Sequence, residues 1–294
     1  MYYDALRTFI TVVEEKSFTR AGEKLRLSQP SVSLHIKHLE TEFQAKLIDR
    51  SPKHLYVTTA GKMLYERAKQ IVNLYEKTKE DIYAHQHTVT GKLRIGASFT
   101  IGEYVLPVLL ADFSRRYSEV EVEVTIGNTK RIAEAVKLLQ MDIGLIEGQT
   151  SDKELRITPF MQDEMVLVVP IAHPLAARGT VTPDELQDET WVVREEGSGT
   201  RVYSDYVIRA FGLRVKKMIT LSSNQGVKEA VIAGLGITLL SRWVVKKHLQ
   251  HGELAELSLQ SEPFLRRFSY IYPAHAERTR LVEVFLSSLV QKLE

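Results

Sequence analysis

The chain contains no cysteine, which removes disulfide cross-links, thiolate metal sites and cysteine nucleophiles together. It has no apolar run long enough to span a bilayer, and the opening Met1-Tyr2-Tyr3-Asp4 lacks the basic and apolar segments of a secretory leader. A cytoplasmic location is therefore expected. Charge of either sign is not in excess: 39 Lys and Arg against 37 Asp and Glu leave a formal +2. The whole-molecule field announces no nucleic-acid partner, so any basic footprint must be local. Catalytic signatures are also missing. There is no P-loop, no G-x-G-x-x-G opening a helix and no H-E-x-x-H, and Glu196-Gly197-Ser198-Gly199 lacks the first glycine of a nucleophile elbow. The nine histidines are scattered, and the closest pair, His85 and His87, reads as a solvated helix end rather than a metal site. No enzyme, cofactor or metal is expected. A small-anion-binding enzyme and a two-lobed solute-binding protein are the rival classes.

What is present is 294 residues with 44% hydrophobic content, enough for two or more domains with cores of their own. Leu6, Phe9, Ile10 and Val13 recur at helical spacing and predict a first helix. In KSFTRAGEKL, Ser17 or Thr19 offers a start, with Phe18, Ala21 and Leu25 facing inward. After the brief Arg26-Leu27-Ser28 break, a third helix opens with Ser28 as cap and Pro30 in the first turn. Its inward stripe is Val32, Ile36, Leu39 and Phe43; its other side carries Pro30, Leu34, Lys37 and Thr41, flanked by Ser31 and His38. Two short helices joined so tightly predict a helix-turn-helix whose second member enters the major groove. KLIDR and HLYVT, flanking Ser51-Pro52-Lys53, read as a hairpin wing. Arg20, Lys24, Lys37, Lys46, Arg50, Lys53 and Lys62 gather here. Taken singly each is an ordinary solvated cation; as a group around this motif they predict a phosphate-facing surface. Leu34, in the middle of the wet face, then gains a use, because an apolar side chain can meet a thymine methyl.

Thr59-Ala60-Gly61 begins a helix expected to reach about His87. Leu64, Ala68, Ile71, Tyr75, Thr78 and Ile82 step by four and three, which predicts a dimerising heptad seam. Packing of this helix on its own domain is the alternative. HQHTVTG then marks a hinge. From Lys92 the pattern changes to alternating strands and helices: LRIGA, IGEYVLPVLLADFSRRY, VEVEVTIG, KRIAEAVKLLQ and DIGLIEG, then DEMVLVVP, TWVVREEG, KKMITLSS, QGVKEAVIAG, GITLLSR and RRFSYIYP, with a last helix from about Glu277 to Leu293. This order predicts a mainly parallel sheet in two α/β lobes with a cleft at the strand ends.

Hydroxyls and amides follow four of those strands: Ser98 and Thr100, Asn128 and Thr129, GSGTR (Gly197, Ser198, Gly199, Thr200, Arg201), and Ser223 with Asn224. Each suits a helix N-terminus, where free N–H groups and the dipole favour an anion. Ordinary N-capping accounts for any one of them. Their recurrence, one with a guanidinium able to grip an oxyanion, points to a shared anionic ligand such as sulfite or sulfate.

LRTFITVVEEKSFTRAGEKLRLSQPSVSLHIKHLE and LIDRSPKHLYVTTAG resemble the N-terminal signature, wing and linker entry of LysR-type transcriptional regulators, and DIGLIEG and GLGITLLSR stand where that family's effector domain would place them. SFTIGEYVLPVLL, IGNT, REEGSGTR and SSNQGVKEAV resemble the branch that governs sulfur assimilation, which is related to sulfite-responsive and carbon-fixation regulators. The resemblance spans the whole chain. It implies an α/β architecture: a winged helix-turn-helix at residues 1–58, a dimerising linker helix at 59–87, a hinge at 88–91, and a periplasmic-binding-protein-like effector domain at 92–294. Lobe I of that domain would hold about 92–161 and 268–294, and lobe II about 162–267. It further implies homodimers assembled into tetramers on promoter DNA, activation of sulfite reductase genes, and RNA polymerase as a partner. Gln29, Pro30, Ser31, Ser33 and Leu34 would face bases, with Arg50 and Lys53 on phosphate or in the minor groove. Leu34 stands where many members carry arginine. Ser98, Thr100, Thr129, Thr200 and Arg201 map to cleft-facing positions.

Overall fold

The computed structural model describes residues 2–50, 55–86, 89–148, 150, 152–259 and 263–291. The chain divides into two compact units, one of Met1–His87 with Leu138–Gln140 and one built from Thr88–Lys137 and Met141–Glu294. In the first, α1 (Tyr2–Glu15), α2 (Phe18–Leu25) and α3 (Gln29–Glu42) are followed by strands β1 (Ile48–Arg50) and β2 (Leu55–Val57) and the long α4 (Thr59–Gln86). Ser17 caps α2 by accepting from the Arg20 amide, and Arg26 ends it in the left-handed region at φ 56°. A side chain at Gly22 would come within 2.7 Å of the Leu27 carbonyl, so the tight turn into α3 needs glycine there. Ser28 caps α3 through the Ser31 amide, with Pro30 in the first turn. Phe9, Ala21, Val32, Ile36 and Leu39 interlock in one core. Phe43 does not join them: it ends α3 and stands 49% exposed, because the helix stops before that turn can carry it inward. β1 and β2 pair antiparallel, and the Glu40 carboxylate accepts from the Leu47 and Ile48 amides to fix the wing's base. Lys53 lies outside the described residues.

The expected seam on α4 divides. Leu64 and Ala68 are buried in the first unit's own core. Further along, Ile71, Leu74 and Tyr75 are about half exposed, and Met63 is exposed as well. Met63, Ile71 and Leu74 therefore form the outward apolar face, while Tyr75 leans on Tyr3 with ring centroids 4.6 Å apart. Thr78 is exposed and turns its hydroxyl back to the Leu74 carbonyl. The Ile82 side chain lies outside the described residues. The inward side of α4's first turns, Leu64 and Ala68, completes the core over α1 and cannot also be a free interface.

In the second unit β3 (Gly91–Ser98) pairs in parallel with β4 (Val120–Gly127) and β5 (Ile143–Glu147), with α5 (Leu106–Arg116) and α6 (Thr129–Lys137) as crossovers. The segment expected to be one helix from Ile101 opens as a π-turn, Ile101–Val105, and becomes α-helical at Leu106. The sheet is mixed rather than mainly parallel. Strand β6 (Leu155–Pro170) is sixteen residues long and pairs antiparallel with β12 (Phe264–Pro273) along that strand's whole length, with a register shift between Phe268 and Ser269. β7 (Thr180–Val181), β8 (Thr190–Arg194), α7 (Gly199–Ala210), β9 (Lys217–Leu221), α8 (Asn224–Ile232), β10 (Thr238–Ser241), α9 (Arg242–Gln250) and β11 (Leu254–Leu259) build the other lobe. β10 and β11 both pair antiparallel with β6. Two crossing strands, β6 and β12, thus serve both lobes. Short polar interruptions hide α9 and β11 from periodicity. α10 (Arg280–Gln291) closes the described chain against the β3–β5 lobe.

Candidate DNA-reading face and effector cleft

On α3, Gln29, Pro30, Leu34 and Lys37 are exposed, and Ser31 and Ser33 are partly so. Gln29 Nε2 donates to Ser33 Oγ at 2.9 Å, which fixes the carboxamide on the helix surface. A groove of about 590 Å³ lies between this face and β1, lined by Pro30, Ser33, Leu34, Lys37, Glu40, Lys46, Ile48 and Asp49, with Lys46 paired to Glu40 at 3.2 Å. Arg50 ends β1. An exposed helix face with an adjoining groove and the exposed Lys37 is suited to a duplex edge.

The cleft is built differently. At its centre Glu147, the last residue of β5, is 2% exposed. Its Oε1 accepts from the Thr100 amide at 2.7 Å, and its Oε2 accepts from the Thr200 hydroxyl at 3.1 Å and pairs with Arg266 at 2.8 Å. Ser98 Oγ accepts from the Glu147 amide, and the Thr129 hydroxyl donates to the Glu147 carbonyl. Gly199 makes this approach possible, since a side chain there would collide with the Glu147 carbonyl at 2.1 Å. Arg266 also pairs with Asp163 at 2.7 Å, and the Ser241 hydroxyl donates to Asp163 at 2.6 Å. Burial works against a charge on Glu147, but Arg266 and the donated hydrogen bonds outweigh it and hold the carboxyl below the usual range. For Asp163 burial prevails and pushes the group up, with Arg266 and Ser241 only partly opposing it.

The surrounding polar groups are likewise already paired. Asn224 donates to Thr100 Oγ1 at 3.0 Å and accepts from Arg194 at 2.5 Å. Arg194 is 1% exposed, grips Glu195 with two nitrogens and lies over the Phe99 ring. Asn128 donates to Glu195 and caps α6 through the Arg131 amide. Gly197 stands at φ +87° against Lys130, whose amide donates to its carbonyl. Ser223 acts as an ordinary cap on the Gly226 amide. Ser198 is 3% exposed, and as N-cap of α7 its hydroxyl makes no capping hydrogen bond.

The four strand ends do converge, as their spacing predicts, but the group they surround is a carboxylate of the chain itself. Arg201 is the exception. Its guanidinium donates to Asp205, one helical turn further on, at 2.9 Å and to the Arg194 carbonyl, and among the described residues no hydrogen bond or ion pair joins it to Glu147. The guanidinium that does face the cleft is Arg266. Strand-end spacing does not find Glu147, Arg266, Asp163 or Arg194. Two signals in the sequence mark the first two: a lone carboxylate ending the otherwise apolar buried run IGLIE, and Arg266 alternating with Arg267 on one strand so that one of the pair must face inward.

Fold and sites together define a two-part regulator with a DNA-reading unit and a separate ligand-binding unit. Residues 3–62 match the family described as bacterial regulatory helix-turn-helix protein, lysR family, and residues 86–294 match the LysR substrate binding domain. The chain belongs to the LysR family of DNA-binding transcriptional regulators. It is 56% identical to the HTH-type transcriptional regulator CysL of Bacillus subtilis over 98% of this chain and 97% of that one. Full-length OxyR from Pseudomonas aeruginosa shares the fold at TM-score 0.76 and 23% identity, covering 98% of this chain and 94% of its own. Full-length CbnR complexed with its target DNA shares it at TM-score 0.73 and 18% identity, with 100% of each chain covered. The relatives are regulators, not enzymes. Among the described residues no helix is long and apolar enough to cross a membrane.

Proposed function

We propose that this chain is a cytoplasmic, oxyanion-responsive activator of sulfur-assimilation genes, sulfite reductase genes foremost, with sulfite or sulfate as effector. One observation carries the effector class: the Thr100 amide, the Thr200 hydroxyl and the Arg266 guanidinium, from three separate elements, all donate to one carboxylate. A small oxyanion presents the same acceptors to the same donors, and it has no apolar body to accommodate. The 56% identity with CysL and the motif resemblance to the sulfur branch support the pathway. Ser98, Thr129 and Ser198 complete the proposed shell, and Asn128, Gly197, Gly199 and Arg201 support it from behind.

In mechanism, the anion competes with Glu147 for its donors and so favours one closure of the lobes over another. Only the difference in affinity between closures can move the protein. The outward face of α4 (Met63, Ile71, Leu74) joins two copies, dimers pair into tetramers on the promoter, and α3 with Gln29, Pro30, Ser31, Ser33 and Lys37 reads the major groove. Arg50 and Lys53 hold the backbone, and RNA polymerase is the partner that converts occupancy into transcription. Footprinting upstream of sulfite reductase genes tests this reading. Protection that changes on adding sulfite or sulfate supports it; protection elsewhere in the genome and none at these genes refutes the pathway.

A further inference from the structure

Both lone pairs of the Thr100 hydroxyl are occupied. Its Oγ1 accepts from Asn224 Nδ2 at 3.0 Å and from Arg266 Nη2 at 3.4 Å. A hydroxyl oxygen has two acceptor positions, so the proton is the only hydrogen-bonding capacity left to it. That proton goes to the Glu147 carboxylate, beside the bond from the Thr100 amide. A carboxamide at Asn224 turned the other way round would demand the same proton for its own oxygen. Arg194 prevents the turn. Its Nη1 donates to Asn224 Oδ1 at 2.5 Å, and a guanidinium cannot accept, so the amide oxygen must face Arg194 and the NH2 must face Thr100. Arg194 is itself immobilised: it is 1% exposed, forked onto Glu195 at 2.8 and 3.0 Å, and stacked 4.3 Å from the centre of the Phe99 ring. Thr200 is oriented in the same sense, accepting from Arg266 at 3.1 Å and donating to Glu147.

We infer that the Arg194–Asn224 relay fixes Thr100 as a donor, and that the cleft thereby selects oxyanions that carry no proton of their own. This deepens the oxyanion reading and rests on it. The groups that touch the Glu147 carboxylate are the Thr100 amide, the Thr100 and Thr200 hydroxyls and the Arg266 guanidinium, and each of them donates. A fully ionised sulfate or sulfite set in that place offers every one of them an acceptor. Hydrogen phosphate has the same tetrahedral shape but brings an O–H, which meets donors and finds no partner among them. A buried donor left unpaired costs about tenfold to a hundredfold in affinity. Arg194 and Asn224 are positioning residues here: they act through the Thr100 hydroxyl.

The test is calorimetric titration of the full chain with sulfate, phosphate and sulfite from mildly acidic to mildly alkaline pH. Sulfate, ionised throughout, should bind at least about tenfold more tightly than phosphate, which keeps one proton. The ratio of sulfite to sulfate affinity should rise with pH as protonated sulfite loses its proton, with sulfate controlling for titration of the protein itself. In Asn224→Asp a carboxylate accepts from Arg194 and also takes the Thr100 proton, which turns a Thr100 lone pair toward the anion. This variant should bind every oxyanion more weakly and lower the sulfate-to-phosphate ratio roughly fivefold. A merely structural loss would weaken both anions and leave the ratio alone. The wild-type ratio and its pH profile need no variant, so they decide the matter even where the variant fails to fold. Phosphate bound as tightly as sulfate, or a sulfite-to-sulfate ratio indifferent to pH, overturns the inference and leaves the oxyanion reading in place. So does an Asn224→Asp protein, folded by circular dichroism, that keeps the wild-type ratio. Heats absent for all three anions remove the oxyanion reading itself, and this inference with it.

Discussion

The two units present opposite kinds of surface. On α3 and the outward face of α4 the chain leaves Leu34, Ile71 and Leu74 half exposed with no partner of its own to cover them. In the cleft the Thr100 amide, the Thr129 and Thr200 hydroxyls and the Asn128 and Asn224 amides already donate within the chain, and the acceptor at the centre is Glu147. The first surface gains by meeting something new. The second can take a ligand only by giving up a contact it has. A regulator needs both: a reading face that is ready, and a sensing site whose ligand must displace something, because displacement is what couples binding to shape.

That contrast can be broken most forcefully at α4. Leu74→Asp places a charge on the outward face of both copies; two-fold symmetry doubles the loss of a buried leucine, for a total of roughly 3–6 kcal/mol of dimer stability. Light scattering should show monomers and operator binding should fall accordingly, with the effector unit still folded by circular dichroism. An unchanged oligomer would remove α4 from the interface. Next in size, Arg266→Ala leaves Glu147 and Asp163 buried without their shared cation and should cost about 3–5 kcal/mol, read as a lower unfolding temperature of the effector unit. A loss below about 1 kcal/mol would mean the cleft is far wetter than its burial indicates.

Acid titration probes the same cluster with a definite sign. Glu147 has its folded pKa depressed, so its contribution is present above its ordinary value of about 4.3 and is lost as pH falls through the lower folded value. Asp163, raised in the fold, has the opposite sign: it favours the folded state at low pH, and that contribution is lost as pH rises through its folded value. Glu147→Gln should therefore flatten the acid limb of the stability curve, measured by denaturant unfolding from neutral pH downward. An acid limb as steep as wild type would place the titration elsewhere. The smallest effect belongs to Arg201→Ala. It breaks a partly exposed i,i+4 pair with Asp205 and one carbonyl contact, about 1 kcal/mol of stability, and should leave anion affinity unchanged.

The same contrast explains what can be read from the sequence. Helix faces are local: Val32, Ile36 and Leu39 recur at helical period and turn inward, so Pro30, Leu34 and Lys37 are found by elimination. The α4 seam is legible as a helix but not as an interface, because whether Leu64 and Ala68 face a partner or α1 depends on tertiary packing. In the cleft, hydroxyls after strands are visible from spacing. Their acceptor is not, since Glu147 lies 47 residues from Thr100 and 53 from Thr200. Arg201 resembles the anion's guanidinium because it follows GSGT, yet the nearest carboxylate one turn along its own helix captures it. The mixed sheet escapes for a related reason: the long β6 pairs with a β12 that lies about a hundred residues further on, and antiparallel return of that kind leaves no local mark.

In the proposed mechanism Glu147 occupies the place of the effector's oxyanion. Calorimetric titration of sulfite and of sulfate into the wild type and into Glu147→Gln measures it directly. Removing the competing charge while keeping the side chain's shape should tighten binding of at least one of the two anions by roughly tenfold to a hundredfold, the equivalent of about 1.5–3 kcal/mol for a hydrogen-bonded charge. Equal or weaker binding of both anions by Glu147→Gln, with the variant shown to be folded, would mean that Glu147 does not stand in the anion's place.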